Sequence, residues 1–296
     1  MSVRRGIYIG SGLIVLGLVI TGIVFMVGGH PAQTLLPENA PGTTLPGTGP
    51  ITIVLSPDFG DAVLSLGGML AQHTRPTIVA TFFTGEPSPA TSTAFDAQSG
   101  FTNSTIAHNV RVAENDRALS SLGAVPENYE YLSSHYGQPI ATDTLTSTIS
   151  QDIQALLIAN SGRQVYIYGP ADFGPQTSSD DAVLYTAFTD VVNGFPGSYV
   201  HFFYYETYPA VQTWNATATN SLRQFLQNES GLFLTTTPIS LSSGQVAAKI
   251  SALQQYHSLI QAAQKQGTDI AAADQQFTAT RCAGQACEVV YAIGQN

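Results

Sequence analysis

Beyond residue 50 the apolar positions follow two alternating rhythms. Short runs rich in β-branched and aromatic residues occur at 51–55, 77–84, 165–168, 199–205, 231–235 and 289–293. Between them lie stretches whose apolar residues recur every three or four positions, at 61–73, 105–122, 151–158, 182–192, 221–226 and 244–264. In the second of these, Ile106, Val110, Ala113, Ala118 and Leu122 fall on or near one helical face; in the last, Val246, Ile250, Leu253, Leu259 and Ile260 do. Strands alternating with helices predict an α/β fold, with a mostly parallel sheet covered on both faces. Ligands of such folds bind beyond the carboxyl ends of the strands, where the loop 56–61 follows the first strand. Residues 85–103, rich in Pro, Ser and Thr, are expected to form a polar loop.

The start of the chain has a different pattern. An uncharged apolar run at 6–29 follows Arg4 and Arg5, with no basic cluster after it. It is long enough to cross a hydrocarbon core of about 30 Å as one helix, with the N-terminus in the cytoplasm. A cleaved signal peptide is the alternative, although its apolar core is usually only roughly 7–15 residues. Pro31, Pro37, Pro41, Pro46 and Pro50 then punctuate a stretch without apolar period, expected to be an extended linker. The expected organisation is therefore a membrane anchor at 1–29, a linker at 30–50 and one domain at 51–296 on the extracytoplasmic side. The domain's length of about 246 residues is enough for a full α/β core.

Charge narrows the choice of partners. Lys and Arg total 10 against 20 Asp and Glu, for a net charge of -10, and the only lysines are Lys249 and Lys265. Nucleic acid is excluded as a partner, since binding to phosphate needs a basic patch. Charged residues are only 10% of the chain, a surface composition more like that of a secreted protein. Cys282 and Cys287 are expected to close a small disulfide loop, with two free buried thiols as the alternative.

The chemistry concentrates in Leu55-Ser-Pro-Asp58-Phe-Gly60-Asp61-Ala-Val-Leu-Ser-Leu-Gly67-Gly68. This segment resembles the first strand, metal loop and first helix of the PIG-L/LmbE-like zinc de-N-acetylases, which carry Ser-Pro-His-x-Asp-Asp-Ala-Val-Leu-Ser-x-Gly-Gly there. Further segments resemble that family in the same order: Phe82-Phe-Thr-Gly85, Arg111-Val-Ala-Glu114 with Leu122-Gly123, Tyr204-Tyr-Glu206-Thr-Tyr-Pro209, and Lys249-Ile-Ser-Ala with Tyr256-His-Ser258. The resemblance implies a Rossmann-like three-layer sandwich, here preceded by one transmembrane helix. It also implies zinc-dependent hydrolysis of N-acetylated amino sugars, in which the metal polarises the amide and an aspartate deprotonates water.

Against that pattern, Asp58 stands for a zinc-ligand histidine and Gly60 for the catalytic aspartate, while Asp61 keeps the ligand aspartate. After the strand at 165–168 the family's His-x-Asp-His segment has no histidine counterpart; Asp180, or Asp181 one place on, takes the ligand position and Thr177 the other. The implied metal set is Asp58, Asp61 and Asp180, whose oxygens suit Ca²⁺ or Mg²⁺ better than zinc. The alternative is that these aspartates are turn residues and helix caps and hold no metal. Glycine cannot act as a base, so no catalytic residue is assigned.

Arg111 and Glu206 are the candidate substrate-binding residues, although Arg111 could instead pair with Glu114 on its own helix. Of the histidines, His135 is the one placed to reach the site. Two functions remain open: a cell-surface de-N-acetylase relative with reduced, altered or lost hydrolysis, acting on a glycan or amino sugar; or a non-catalytic domain that binds glycan or protein.

Overall fold

The structure is a computed structural model and describes residues 42–137, 142–171, 179–208 and 233–294. The expected anchor, the linker as far as residue 41, Thr177, and the helix expected at 221–226 lie outside the described residues. Among the described residues, no helix is long and apolar enough to cross a membrane.

Among the described residues, seven strands form one sheet: β1 (Ile51–Ser56), β2 (Thr77–Thr81), β3 (Ala124–Asn128), β4 (Val165–Ala171), β5 (Val200–Glu206), β6 (Phe233–Ser240) and β7 (Cys287–Gly294), in the order β3-β2-β1-β4-β5-β7-β6. The first five are parallel, with Val54 beside Val79 on one side and Tyr168 on the other. β7 runs antiparallel to both β5 and β6. The chain winds outward from β1 to β3, then returns to lay β4 on the other flank of β1. Their carboxyl ends form the switch point at which such sheets hold ligands.

The helices are α1 (Asp61–Leu70), α2 (Ala94–Gln98), α3 (Ser104–Ser121), α4 (Thr142–Ala159), α5 (Ser179–Gly194), α6 (Ser243–Leu253), α7 (His257–Lys265) and α8 (Ile270–Thr280). Strand alternation divides the core in two. Ile51, Ile53 and Leu55 point to the side where α4 supplies Ile149, Ile153 and Leu156 and α5 supplies Leu184 and Phe188. Val54 and Val79 point to the other, against Val63 and Leu66 of α1, Leu119 of α3 and Leu253 of α6. This is the expected covered, mostly parallel sheet.

Several boundaries differ from expectation. The helix expected over 244–264 is two helices, broken at Gln254–Tyr256. The polar loop at 85–103 contains α2, capped by the Thr93 hydroxyl, which accepts from the Asp96 amide at 3.1 Å. The proline-rich stretch is already docked before residue 50. Leu45 packs on the core and its carbonyl accepts from Arg163 Nη2 at 2.8 Å, while Thr43 exchanges bonds with Glu127 and Asn160. Cys282 and Cys287 form the expected disulfide.

The Gly67-Gly68 pair has a packing reason. α1 kinks at Leu66, and the amides of Gly68 and Met69 donate to the Glu288 carboxylate at 2.9 and 2.8 Å. A Cβ on Gly67 would lie 2.7 Å from Lys249 Cγ, and one on Gly68 would lie 2.3 Å from Leu241 Cδ1. Only bare backbone lets α6 and Leu241, just after β6, approach this closely. Lys249, 1% exposed, bridges Asp274 of α8 and Glu288 of β7 at 3.1 Å each.

Candidate functional site

A cavity of about 200 Å³ opens at the switch point. The loops after three strands contribute to its wall: Asp58, Phe59 and Asp61 after β1, Phe83 to Gly85 after β2, and Ser133, His135 and Tyr136 after β3. Arg111 and Glu114 of α3 and Tyr256, Ser258 and Leu259 around the start of α7 complete it.

The loop after β1 is tightly bonded. The Ser56 hydroxyl donates to the Asp58 carbonyl at 2.9 Å and accepts from the Ala62 amide at 3.1 Å. Asp61 opens α1, and its Oδ2 accepts from the Asp58 amide at 2.8 Å. Between them Gly60 has φ 96°, in the left-handed region, and a Cβ there would meet Leu259 Cδ2 at 3.3 Å. The turn is therefore built on glycine, in conformation as well as in chemistry.

Asp180, in the first turn of α5, is fully buried. Its carboxylate accepts from Ser133 Oγ at 2.8 Å and from the Ser134 amide at 3.1 Å. Burial pushes the Asp58 carboxyl well above the ordinary carboxylate range. The charges of Asp180, Asp61 and Asp181 add to that shift, and Arg111 opposes it. Asp61 is raised in the same way by burial and Asp181, against the hydrogen bond from the Asp58 amide. Four carboxylates thus act on one another at this end of the sheet.

Arg111 is buried at the cavity wall but does not pair with Glu114. Its Nη1 donates to Asp96 Oδ1 at 2.9 Å and to Tyr136 Oη at 3.0 Å, and the guanidinium lies 4.3 Å from the centre of the Phe95 ring. Phe95 also stacks with His135, the ring centres 3.9 Å apart. Burial lowers the His135 pKa, favouring the neutral ring. Glu114 accepts from the Ser258 amide at 3.0 Å and its hydroxyl at 2.5 Å, tying α3 to α7.

Of the residues expected at the site, Asp58, Asp61, Gly60, Arg111, Asp180 and His135 come together. Glu206 does not: Arg281 Nε and Nη2 hold it at 2.8 and 2.5 Å, Tyr291 donates to it at 2.8 Å, and it faces a separate small gap beside Lys249. Its position at the end of β5 sends it to the β7 side, so it is a structural anion. Asp96, the true partner of Arg111, was missed. Its signal was Thr93-x-x-Asp96, a helix-start pattern inside the expected loop.

The donor set does not fit a catalytic zinc. Among the described residues, no group of three or more His, Cys, Asp or Glu is arranged to hold a metal ion. Asp58, Asp61 and Asp180 are neighbours rather than a formed ligand set. Both oxygens of Asp180 face the Ser133–Ser134 turn, one oxygen of Asp61 serves the Asp58 amide, and the sequence offers no imidazole from either loop. A catalytic zinc needs three protein ligands and an open position.

No protein-family model and no curated protein matches the sequence. Solved structures do match. The pseudoaglycone deacetylase of the antimicrobial reagent A40926 aligns with a TM-score of 0.66 at 18% identity, covering 82% of this chain and 96% of that one. Teicoplanin deacetylase in its zinc-inhibited form gives 0.66 at 18% identity, covering 83% and 98%. N,N'-diacetylchitobiose deacetylase from Pyrococcus horikoshii gives 0.51 at 11% identity, covering 82% and 83%. The chain has the PIG-L/LmbE-like deacetylase fold.

Proposed function

We propose that this chain is a PIG-L/LmbE-like domain, held at the cell surface by its N-terminal apolar segment, that binds a glycan at the switch-point cavity and has lost zinc-dependent hydrolysis. The observation that carries the reading is the loop after β1. It keeps the frame of the metal loop while placing Asp58 where an imidazole would be needed and a left-handed Gly60 where a base would be needed. Gly60 supplies no base at the family's position, and among the described residues no metal set is formed, which supports loss of the zinc-dependent step. What remains is a recess with aromatic walls and a polar floor, the ordinary character of a small-molecule site. The structural neighbours include deacetylases of teicoplanin and of diacetylchitobiose, which supports a sugar-bearing ligand.

The test is the metal content of the purified protein after equilibration with Zn²⁺, Ca²⁺ and Mg²⁺ in turn, together with acetate release from N-acetylglucosamine and its oligomers. The expected result is no stoichiometric ion and no acetate, with saturable sugar binding by calorimetry. Metal-dependent acetate release abolished by Asp61→Ala would make the chain an enzyme; absence of sugar binding would remove the glycan reading.

A further inference from the structure

At the end of the sheet opposite the cavity the charge balance of the chain is reversed. The segments that meet there are 72–77 leading into β2, 160–166 leading into β4, 197–203 leading into β5, and 289–294 at the end of β7. They carry His73, Arg75, Arg163 and His201 and no Asp or Glu, in a chain with 20 acidic residues against 10 Lys and Arg. Arg163 is spent on the Leu45 carbonyl. Arg75 is half-buried, and among the described residues its guanidinium has neither a hydrogen-bond acceptor nor a carboxylate partner.

The arginine is nevertheless held in place. Its guanidinium carbon lies 3.9 Å from the centre of the Tyr166 ring, and the same ring stacks on His201 with centres 4.7 Å apart. One cross-strand pair further along, Tyr168 stacks on Phe203, also at 4.7 Å. Strand alternation puts these four rings on the α1 side of the sheet, where His201 is exposed and Tyr166 and Phe203 are half-buried. Across from Phe203 on β7 is Ala292, followed on β6 by the exposed Thr235, so small side chains leave room beside the rings. His201 Nε2 donates to Gln164 Oε1 at 2.8 Å, which leaves the amide donors of the exposed Gln164 unspent.

An aromatic face attracts a guanidinium without consuming its N–H groups. Tyr166 therefore fixes Arg75 and leaves its planar fork to a ligand, and that fork matches a carboxylate through two parallel hydrogen bonds. One free arginine beside one histidine is too little charge for an anionic bilayer, which takes clusters of roughly 4–8 Lys or Arg. A bare carboxylate would leave the rings and Gln164 unused. A sugar that carries the carboxylate uses all three: its C–H face buries apolar area against the rings, and its hydroxyls accept from Gln164.

We propose that the Arg75–Tyr166–His201 patch binds an acidic sugar, a hexuronic acid residue of a glycan, with its carboxylate on the Arg75 guanidinium and its ring against His201 and Phe203. The patch lies at the opposite ends of the strands from the switch-point cavity and does not depend on the glycan reading of that cavity.

The experiment is calorimetric titration of the full chain, at low ionic strength, with glucuronate, glucose and acetate. Glucuronate is expected to bind at least about tenfold more tightly than either of the others, and Arg75→Gln to remove about tenfold of that affinity. His201→Ala is expected to weaken glucuronate as well. Both side chains reach solvent, and an unchanged melting temperature reports that each variant is folded. Glucose binding as tightly as glucuronate overturns the carboxylate contact, and acetate binding as tightly overturns the sugar. Glucuronate binding unaffected by folded Arg75→Gln overturns the site, and no glucuronate binding overturns the proposal outright. Neither of these last two results touches the cavity, whose own test is N-acetylglucosamine.

Discussion

The buried Lys249 cluster makes a quantitative prediction about the fold. Lys249 Nζ sits 3.1 Å from Asp274 Oδ1 and 3.1 Å from Glu288 Oε1, and all three residues are under 5% exposed. Lys249→Met keeps the stem that packs on Gly67 and deletes the charge. Glu288 would retain its two amide donors from α1, but Asp274 would face Glu288 with no counter-charge. Breaking a buried pair by removing one partner costs about 3–5 kcal/mol. Burial has already raised the Asp274 pKa to about 6, the Lys249 charge holding it down and Glu288 pushing it up. A carboxyl raised in the folded state stabilises below its unfolded pKa, and that contribution is lost as pH rises through about 6. From the ordinary value of 3.8, this amounts to about 3 kcal/mol. Urea unfolding of the wild-type chain should therefore show stability increasing as pH falls from about 7 to about 5. The cost of Lys249→Met should shrink over the same interval, because the freed carboxylates take up protons. A loss below about 1 kcal/mol, or an equal loss at both pH values, would show that the cluster is not held by charge.

Two further predictions concern the first helix and its loop. Gly68→Ala places a methyl 2.3 Å from Leu241 Cδ1 and should cost about 1–3 kcal/mol in urea unfolding, with Leu241→Ala on the same chain recovering part of it. The double change Asp58→His with Gly60→Asp restores the family residues in name, yet zinc content and acetate release should stay at background. The turn has φ 96° at residue 60, where a side chain costs about 1–2 kcal/mol, and the imidazole of the third ligand is still missing. Stoichiometric zinc in that variant would show that the loop is free to re-form.

The alternation of strand runs and helical periods was enough to obtain the layers, because a buried parallel strand is apolar on both faces and the pattern is strong. It was weakest where packing overrides periodicity. Residues 244–264 keep one apolar period across two helices, and the break at Gln254–Tyr256 is set by Tyr256 reaching Asn115 and Ser258 reaching Glu114. β3, with Pro126, Glu127 and Asn128 among its five residues, carries no strand signature and is held by its neighbour β2 and by α3. Asp58 and Asp61 were legible because they follow a strand end, while Asp180 and Arg111 were reached through the family resemblance. Glu206 also follows a strand end, but its neighbour in space is β7, a late strand that enters the sheet antiparallel beside β5. Linear order does not announce that insertion, so the partners Arg281 and Tyr291 could not be foreseen.

The same comparison separates frame from chemistry. Gly67, Gly68, Lys249, Glu114, Tyr256 and Ser258 all proved to be parts of the scaffold. They bring α1, α3, α6 and α7 together through buried contacts, of which the Lys249–Glu288 ion pair would cost about 3–5 kcal/mol to break. Stability therefore preserves them whether or not a reaction occurs. Asp58 and Gly60 answer to no such constraint: Asp58 uses only its backbone in the loop, and Gly60 is required by a conformation rather than by a partner. A fold kept by its packing can thus change the chemistry of its cavity through a few loop positions that the packing does not fix.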